Sequence, residues 1–298
     1  MIFYKPSKLL GLAAATALSV AALVTPGETL FAEDDGTTSA SRIVSVGGSV
    51  TEIVFALGEQ DRLIARDTTS IYPETANALP DVGYMRALSP EGVMSVDPDL
   101  ILLLDGSGPP ETVGLLEKSG IPVRNIPDEF TARGIVEKVR AVGAALGVED
   151  KAGDLVQKLE ADLEAAHAEA SGQSEGLRVL FVLSTRGGSI MASGSDTAAD
   201  GILELAGAQN AIDGFSGYKQ LTDEAILSAA PDVVLMMDRV GDHVAGGDEL
   251  FNHPALARTP AGENKRLIRM PGQYLLGFGP RTADAIRDLA ARLADIRS

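Results

Sequence analysis

Leu88-Ser89-Pro90-Glu91-Gly92-Val93-Met94-Ser95-Val96-Asp97-Pro98-Asp99-Leu100-Ile101-Leu102 recurs at a constant offset of 133 residues. The second copy is Leu221-Thr222-Asp223-Glu224-Ala225-Ile226-Leu227-Ser228-Ala229-Ala230-Pro231-Asp232-Val233-Val234-Leu235. Leu, Glu, Ser, Pro, Asp and Leu hold matching places without a gap, and Asp105/Asp238 extend the match. Each copy reads as a capped short helix, a Pro-Asp turn and a continuously apolar strand. A strand with no polar alternation is one covered on both faces, as in a parallel sheet flanked by helices. Two ungapped copies point to a duplicated α/β unit.

Working outward, the pattern around each copy alternates between strand and helix. Before the first copy lie the strand Arg42–Val46, a helix from Ser49 to Leu57 and the strand Leu63–Ala65; after it a strand starts at Ile121–Val123. Ser49 and Glu52 have capping-box spacing, so the helix is expected to open on that pair. The second copy sits among a strand at Leu177–Leu183, a helix at Thr197–Ala206 and a buried strand at Val233–Met237. Between the halves run Thr131–Leu146 and then Glu149–Ala170, with apolar residues at helical spacing. A helix of about 22 residues is about 33 Å long, enough to bridge two lobes. The expected fold is therefore α/β, with two Rossmann-like lobes of parallel-type sheet joined by one long helix. An N-terminal lobe over 40–146, a bridging helix over 147–172 and a C-terminal lobe over 177–298 are expected. Ligands in such folds sit at the carboxyl ends of the strands, so a cleft between facing lobes is the expected site.

Composition narrows the function. The 298 residues carry a formal charge of −17 without a basic run, which argues against nucleic acid as a partner. The cysteine count is zero, excluding disulfides, thiolate metal sites, cysteine nucleophiles and a lipidated N-terminal cysteine. Lys5 and Lys8, an uncharged apolar stretch from Leu9 to Val24, and Leu30-Phe31-Ala32 have the layout of a secretory signal peptide over 1–32. The apolar stretch is shorter than the ~20 residues a spanning helix needs. The mature protein is expected to be exported to the periplasm.

Enzymatic signatures are scarce: GxSxG, a P-loop lysine motif and HExxH do not occur. Gly277-Phe278-Gly279-Pro280-Arg281-Thr282 lacks the last glycine of a dinucleotide loop and reads as a turn into the final helix. His167, His243 and His253 are scattered, His167 reading as a solvated helix residue. Export, two lobes and no nucleophile–base constellation favour a binding protein over an enzyme.

Four segments carry a resemblance: Asp67-Thr68-Thr69-Ser70-Ile71-Tyr72-Pro73-Glu74 with Leu79 to Ser89, Arg186-Gly187-Gly188-Ser189-Ile190-Met191, Asp196 to Gly201, and Tyr274-Leu275-Leu276-Gly277-Phe278-Gly279-Pro280-Arg281. Together they resemble the haem-binding periplasmic proteins of bacterial haemin ABC importers, within the vitamin B12 and siderophore-binding family. The resemblance implies a class III periplasmic binding protein, a monomer that binds ferric haem between its lobes and delivers it to an inner-membrane ABC permease dimer with its ATPase. A siderophore or cobalamin is the alternative ligand of the same fold.

The resemblance also implies Tyr72 as axial ligand to the haem iron. A phenolate is a hard anionic donor suited to Fe(III), and a neighbouring Arg would favour the deprotonated form. Arg66, Arg86 and Arg239 are candidates for that role or for pairing with haem propionates. Arg186 and Tyr274 are further haem-contacting candidates. A second axial ligand is not identifiable, so five-coordinate or water-ligated iron is expected. Glu91 and Glu224, equivalent in the two copies, are implied as the permease-docking pair.

Overall fold

The computed structural model of the protein describes residues 40–174, 176–238 and 250–297. The expected signal peptide, Arg239 and His243 lie outside the described residues, as does the side chain of Arg186. The described residues lie in one compact unit from Asp35 to Ser298.

In the first half, the strands are β1 (Ile43–Val46), β2 (Leu63–Arg66), β3 (Leu100–Leu104) and β4 (Val123–Ile126). The helices are α1 (Gly48–Ala56), α2 (Pro90–Met94), α3 (Pro110–Glu117) and α4 (Ala132–Leu146). The strands form an all-parallel sheet in the order β2-β1-β3-β4. All five residues of β3 are buried, as its unbroken apolar sequence requires of a central strand.

Helix α5 (Glu149–Ala170) follows, with Gly147 at φ 69° ending α4 in the left-handed conformation that glycine adopts without strain. Ala152, Val156, Leu159, Leu163, Ala166 and Ala170 form its buried stripe. Its first turn is tied to the N-terminal lobe through Lys151 Nζ and Glu59 Oε1 at 2.6 Å. Its last turns are tied to the C-terminal lobe, where Arg287 reaches Asp162 at 2.6 Å and Glu169 at 2.8 Å. His167 is not simply solvated: its Nδ1 lies 2.9 Å from the Leu205 carbonyl and holds α5 to the helix carrying Leu205.

The second half comprises β5 (Arg178–Ser184), β6 (Met191–Ser193), α6 (Ala198–Leu205), β7 (Gln209–Asn210), β8 (Tyr218–Gln220), α7 (Asp223–Ala229) and β9 (Val233–Asp238). It ends with α8 (Pro260–Glu263), β10 (Leu267–Pro271), α9 (Gly272–Leu276) and α10 (Thr282–Arg297). The run β10-β9-β5 is parallel and repeats β4-β3-β1, with β7 beside β5 in the place of β2. This sheet is mixed, however, because β6 pairs antiparallel with β5 and β8 pairs antiparallel with β6. Val179, Phe181, Val233 and Leu235 join the core that runs through both lobes, whereas Leu180, Val182, Val234 and Met236 face a second core. Alternation of that kind on buried strands is what covers the sheet on both faces.

The repeat read from the sequence extends to individual hydrogen bonds. Ser89 caps α2 by accepting from Gly92 N–H, and Thr222 caps α7 by accepting from Ala225 N–H. Asp97 and Ala230, equivalent by the same offset, both take positive φ, 53° and 40°. Asp99 accepts from the backbone N–H of Ser41 and Arg42 at 3.0 and 2.9 Å, and Asp232 from that of Arg178 at 3.0 Å. The Pro-Asp carboxylate thus anchors the first strand of each sheet.

Removing either carboxylate leaves strand donors to solvent. Asp99→Ala and Asp232→Ala should each cost about 1.5 kcal/mol of unfolding free energy in urea. The double variant should lose the sum to within about 0.5 kcal/mol, because the sites share no partner.

Candidate functional site

The loop that presents Tyr72 leaves the carboxyl end of β2 and is organised by one buried carboxylate. Asp67 accepts four hydrogen bonds: from Gly47 N–H and Ser70 Oγ at 2.9 and 2.7 Å, and from Thr69 N–H and Oγ1 at 2.9 and 2.7 Å. Thr51 Oγ1 donates onward to Ser70 Oγ at 2.7 Å, which links the loop to α1. A fully buried charge is tolerable only when so satisfied. With the loop held, Tyr72 is 42% exposed at its tip, joined to Pro73 by a cis peptide bond. The adjoining loop exposes a second phenol, Tyr84 at 44%, whose oxygen accepts from Arg86 at 3.3 Å.

The facing side is built by residues 273–281 of the C-terminal lobe. Gln273 accepts the Ile71 N–H at 3.1 Å and donates to the Gly48 carbonyl at 2.9 Å, spanning the lobes next to Tyr72. Gly48 permits this approach, since a Cβ there would lie 3.0 Å from Gln273 Cδ. Arg281 forms a bidentate pair with Glu52 of α1, Nε to Oε1 at 3.0 Å and Nη2 to Oε2 at 2.8 Å. Its guanidinium carbon lies 3.4 Å from the centroid of the Tyr72 ring and 5.3 Å from that of Tyr274. Lys138, fully buried on α4, completes the seam by donating to Asp128 at 2.6 Å, to Ser49 Oγ at 3.3 Å and to the Phe278 carbonyl at 3.0 Å. Burial pushes the Lys138 ammonium below its ordinary range, and Asp128 works against that shift. Phe130 and Phe278 meet edge to face at 5.4 Å.

The Ser49/Glu52 capping box does not form. Helix α1 is entered through Gly47 at φ 107° with no side-chain cap, Ser49 meets Lys138, and Glu52 is drawn to Arg281. For a nearly buried carboxylate, a guanidinium is a stronger partner than a helix-end N–H.

The candidate arginines separate. Arg66 donates to Asp81 at 2.9 Å and to the Asp67 carbonyl at 3.0 Å, so these contacts keep it within its own lobe beneath the Tyr72 loop. Arg86 is exposed on the rim, and its charge acts on the phenol of Tyr218 in the other lobe. Burial pushes that phenol up, with the Thr197 hydroxyl and Arg86 opposing. Tyr274 donates to Asp288 at 2.9 Å, and burial together with that carboxylate raises its phenol well above the ordinary range. It is therefore held as a neutral phenol. Glu91 and Glu224 are exposed in the first turns of α2 and α7; Glu91 accepts from Ser89 Oγ at 3.1 Å, while its own N–H and Thr222 hold Glu224 below the usual carboxylate range. The sequence reading missed Arg281 and Gln273 as site residues. Arg281 ended a segment already singled out, but nothing local linked it to Glu52 or Tyr72.

The profile of the periplasmic binding protein family matches residues 43–274. The chain belongs to the periplasmic binding protein family. It is a substrate-binding component of the ABC importer type, a class of transport proteins rather than of enzymes. Among solved structures it is similar to the periplasmic heme-binding protein BhuT in complex with two hemes, at 38% identity and a TM-score of 0.81, covering 86% of this chain and 99% of that one. The periplasmic heme-binding protein RhuT from Roseiflexus sp. RS-1, in apo form, gives 36% identity and a TM-score of 0.82, with 87% and 100% covered. An uncharacterized ABC transporter substrate-binding lipoprotein, YvrC of Bacillus subtilis (strain 168), is 27% identical, with 84% of this chain and 78% of that one covered. No helix among the described residues is long and apolar enough to cross a membrane.

Glu52, with 6% of its side chain exposed, depends on Arg281 for compensation. Arg281→Ala should cost about 3 kcal/mol in urea unfolding, because it strands a carboxylate away from water. The double variant Glu52→Leu/Arg281→Leu should lose less than the single one. A double variant that is worse than Arg281→Ala would show that the stranded charge is not the cause.

Proposed function

We propose that this periplasmic binding protein captures ferric haem in the cleft between its lobes and passes it to an inner-membrane ABC permease dimer with its ATPase. The observation that carries the reading is Tyr72: an exposed phenol at the carboxyl end of the N-terminal sheet, on a loop held by Asp67, directly across the seam from Arg281. Heme-binding relatives that share more than a third of their residues with this chain support the same ligand class.

Tyr72 would supply the phenolate oxygen to iron. The exposed rings of Tyr72 and Tyr84 offer apolar surface to a porphyrin, and Arg86 on the same rim is placed for a propionate. Binding is storage without turnover, so what the chain must supply is orientation and exclusion of water. Export by a cleaved signal peptide over 1–32 accompanies this reading, and the permease would be engaged by Glu91 and Glu224, one exposed carboxylate per lobe on equivalent helices.

Hemin added to the purified protein should give a Soret band and a ferric tyrosinate charge-transfer band. Tyr72→Phe should abolish the latter and weaken binding about tenfold or more, about 1.4 kcal/mol. Binding of cyanocobalamin or a ferric siderophore with no hemin spectrum would replace haem by that ligand.

With the permease reconstituted in liposomes, Glu91→Ala/Glu224→Ala should keep wild-type hemin affinity but lose stimulation of ATP hydrolysis. A drop in hemin affinity in that variant would contradict the docking role.

A further inference from the structure

We propose that Arg281 is a positioning residue for Tyr72: held flat by Glu52, its guanidinium supports the phenol ring from the opposite lobe and sets the direction in which the hydroxyl meets iron. This deepens the haem reading above and rests on it.

A tyrosine 42% exposed at a loop tip has little packing to fix its ring. Left alone, such a side chain samples several staggered rotamers, and each would aim the oxygen elsewhere. The structure supplies a planar support instead. The guanidinium carbon lies 3.4 Å from the Tyr72 ring centroid, within stacking contact of its face. Arg281 cannot turn freely, because Nε and Nη2 are both engaged by the two oxygens of Glu52 at 3.0 and 2.8 Å. Glu52 lies on buried helix α1, so the plane of the support is defined by the N-terminal lobe although the arginine belongs to the C-terminal one. Gln273 acts in the same direction on the backbone, accepting the N–H of Ile71 immediately before the tyrosine. Ring and backbone are thus both referred to one seam.

Planarity is the essential property. A lysine keeps the positive charge beside Glu52, yet an ammonium has no flat face to stack and no bidentate fork. Arg281→Lys therefore separates the pairing that stabilises the fold from the support that orients the ring.

The test compares the wild type, Arg281→Lys and Tyr72→Phe. Thermal unfolding reports the fold, the NMR signal of the labelled Tyr72 ring in apoprotein reports its orientation, and hemin dissociation from preformed complex reports ligation. In Arg281→Lys the Tyr72 signal should shift and broaden, hemin should leave about tenfold faster, equivalent to about 1.4 kcal/mol, and the charge-transfer band should move, while the complex still forms. A Tyr72→Phe variant that loses the band alongside an Arg281→Lys variant with wild-type ring signal, band and dissociation rate would overturn the positioning role alone. If Tyr72→Phe binds hemin like the wild type, tyrosine ligation fails and the positioning role falls with it.

Discussion

A single buried carboxylate makes two lobes into one site. Glu52 sits on the first helix of the N-terminal lobe, nearly out of contact with water, and its cation comes from Arg281, 229 residues later. Desolvating a carboxylate is costly unless a partner stands in fixed geometry. A bidentate guanidinium meets that condition only while the two lobes hold one relative position. The neighbouring contacts reinforce that geometry: Lys138 reaches the Phe278 carbonyl and Gln273 grips the backbone on either side of the Asp67-centred loop. The rim that carries Tyr72 is therefore braced from within its lobe and from across the seam.

The two lobes show how duplication persists where the backbone needs it and fades where function diverges. Asp99 and Asp232 still clamp the first strand of their sheets, and Asp97 and Ala230 still turn through positive φ at the same place. Aspartate tolerates that conformation by local hydrogen bonding, while alanine has no such help and adopts it only because the surrounding turn demands it. The sheets diverge at β6 and β8, which extend the second one with antiparallel strands. The site diverges further: one lobe contributes an exposed phenol on a loop after β2, the other Gln273 on α9 and Arg281 just before α10.

Most of the fold was legible in the sequence because its signals are local. The continuous apolar run Leu100–Leu104, the Pro-Asp turns, the capped starts of the two duplicated short helices at Ser89 and Thr222, and the unbroken helical stripe of Glu149–Ala170 each act within a few residues, and each forms where the pattern indicates. Tyr72 was singled out only by the family resemblance that its Tyr-Pro segment helps to carry; the residue pattern alone reads it as an aromatic at the edge of a turn. The Ser49/Glu52 spacing misled, since the pattern of a capping box carries no information about a competing guanidinium from the far end of the chain.

Composition and periodicity by themselves determined an α/β duplication with a bridging helix, because hydrophobic pattern and turn chemistry dictate secondary structure and the faces it buries. Tertiary structure alone decided which polar groups meet. Glu52 with Arg281, Lys138 with Phe278, and Ile71 with Gln273 are separated by 229, 140 and 202 residues. No periodicity links positions so distant; only the folded path of the chain brings donor and acceptor within hydrogen-bonding reach, where burial then makes their pairing obligatory.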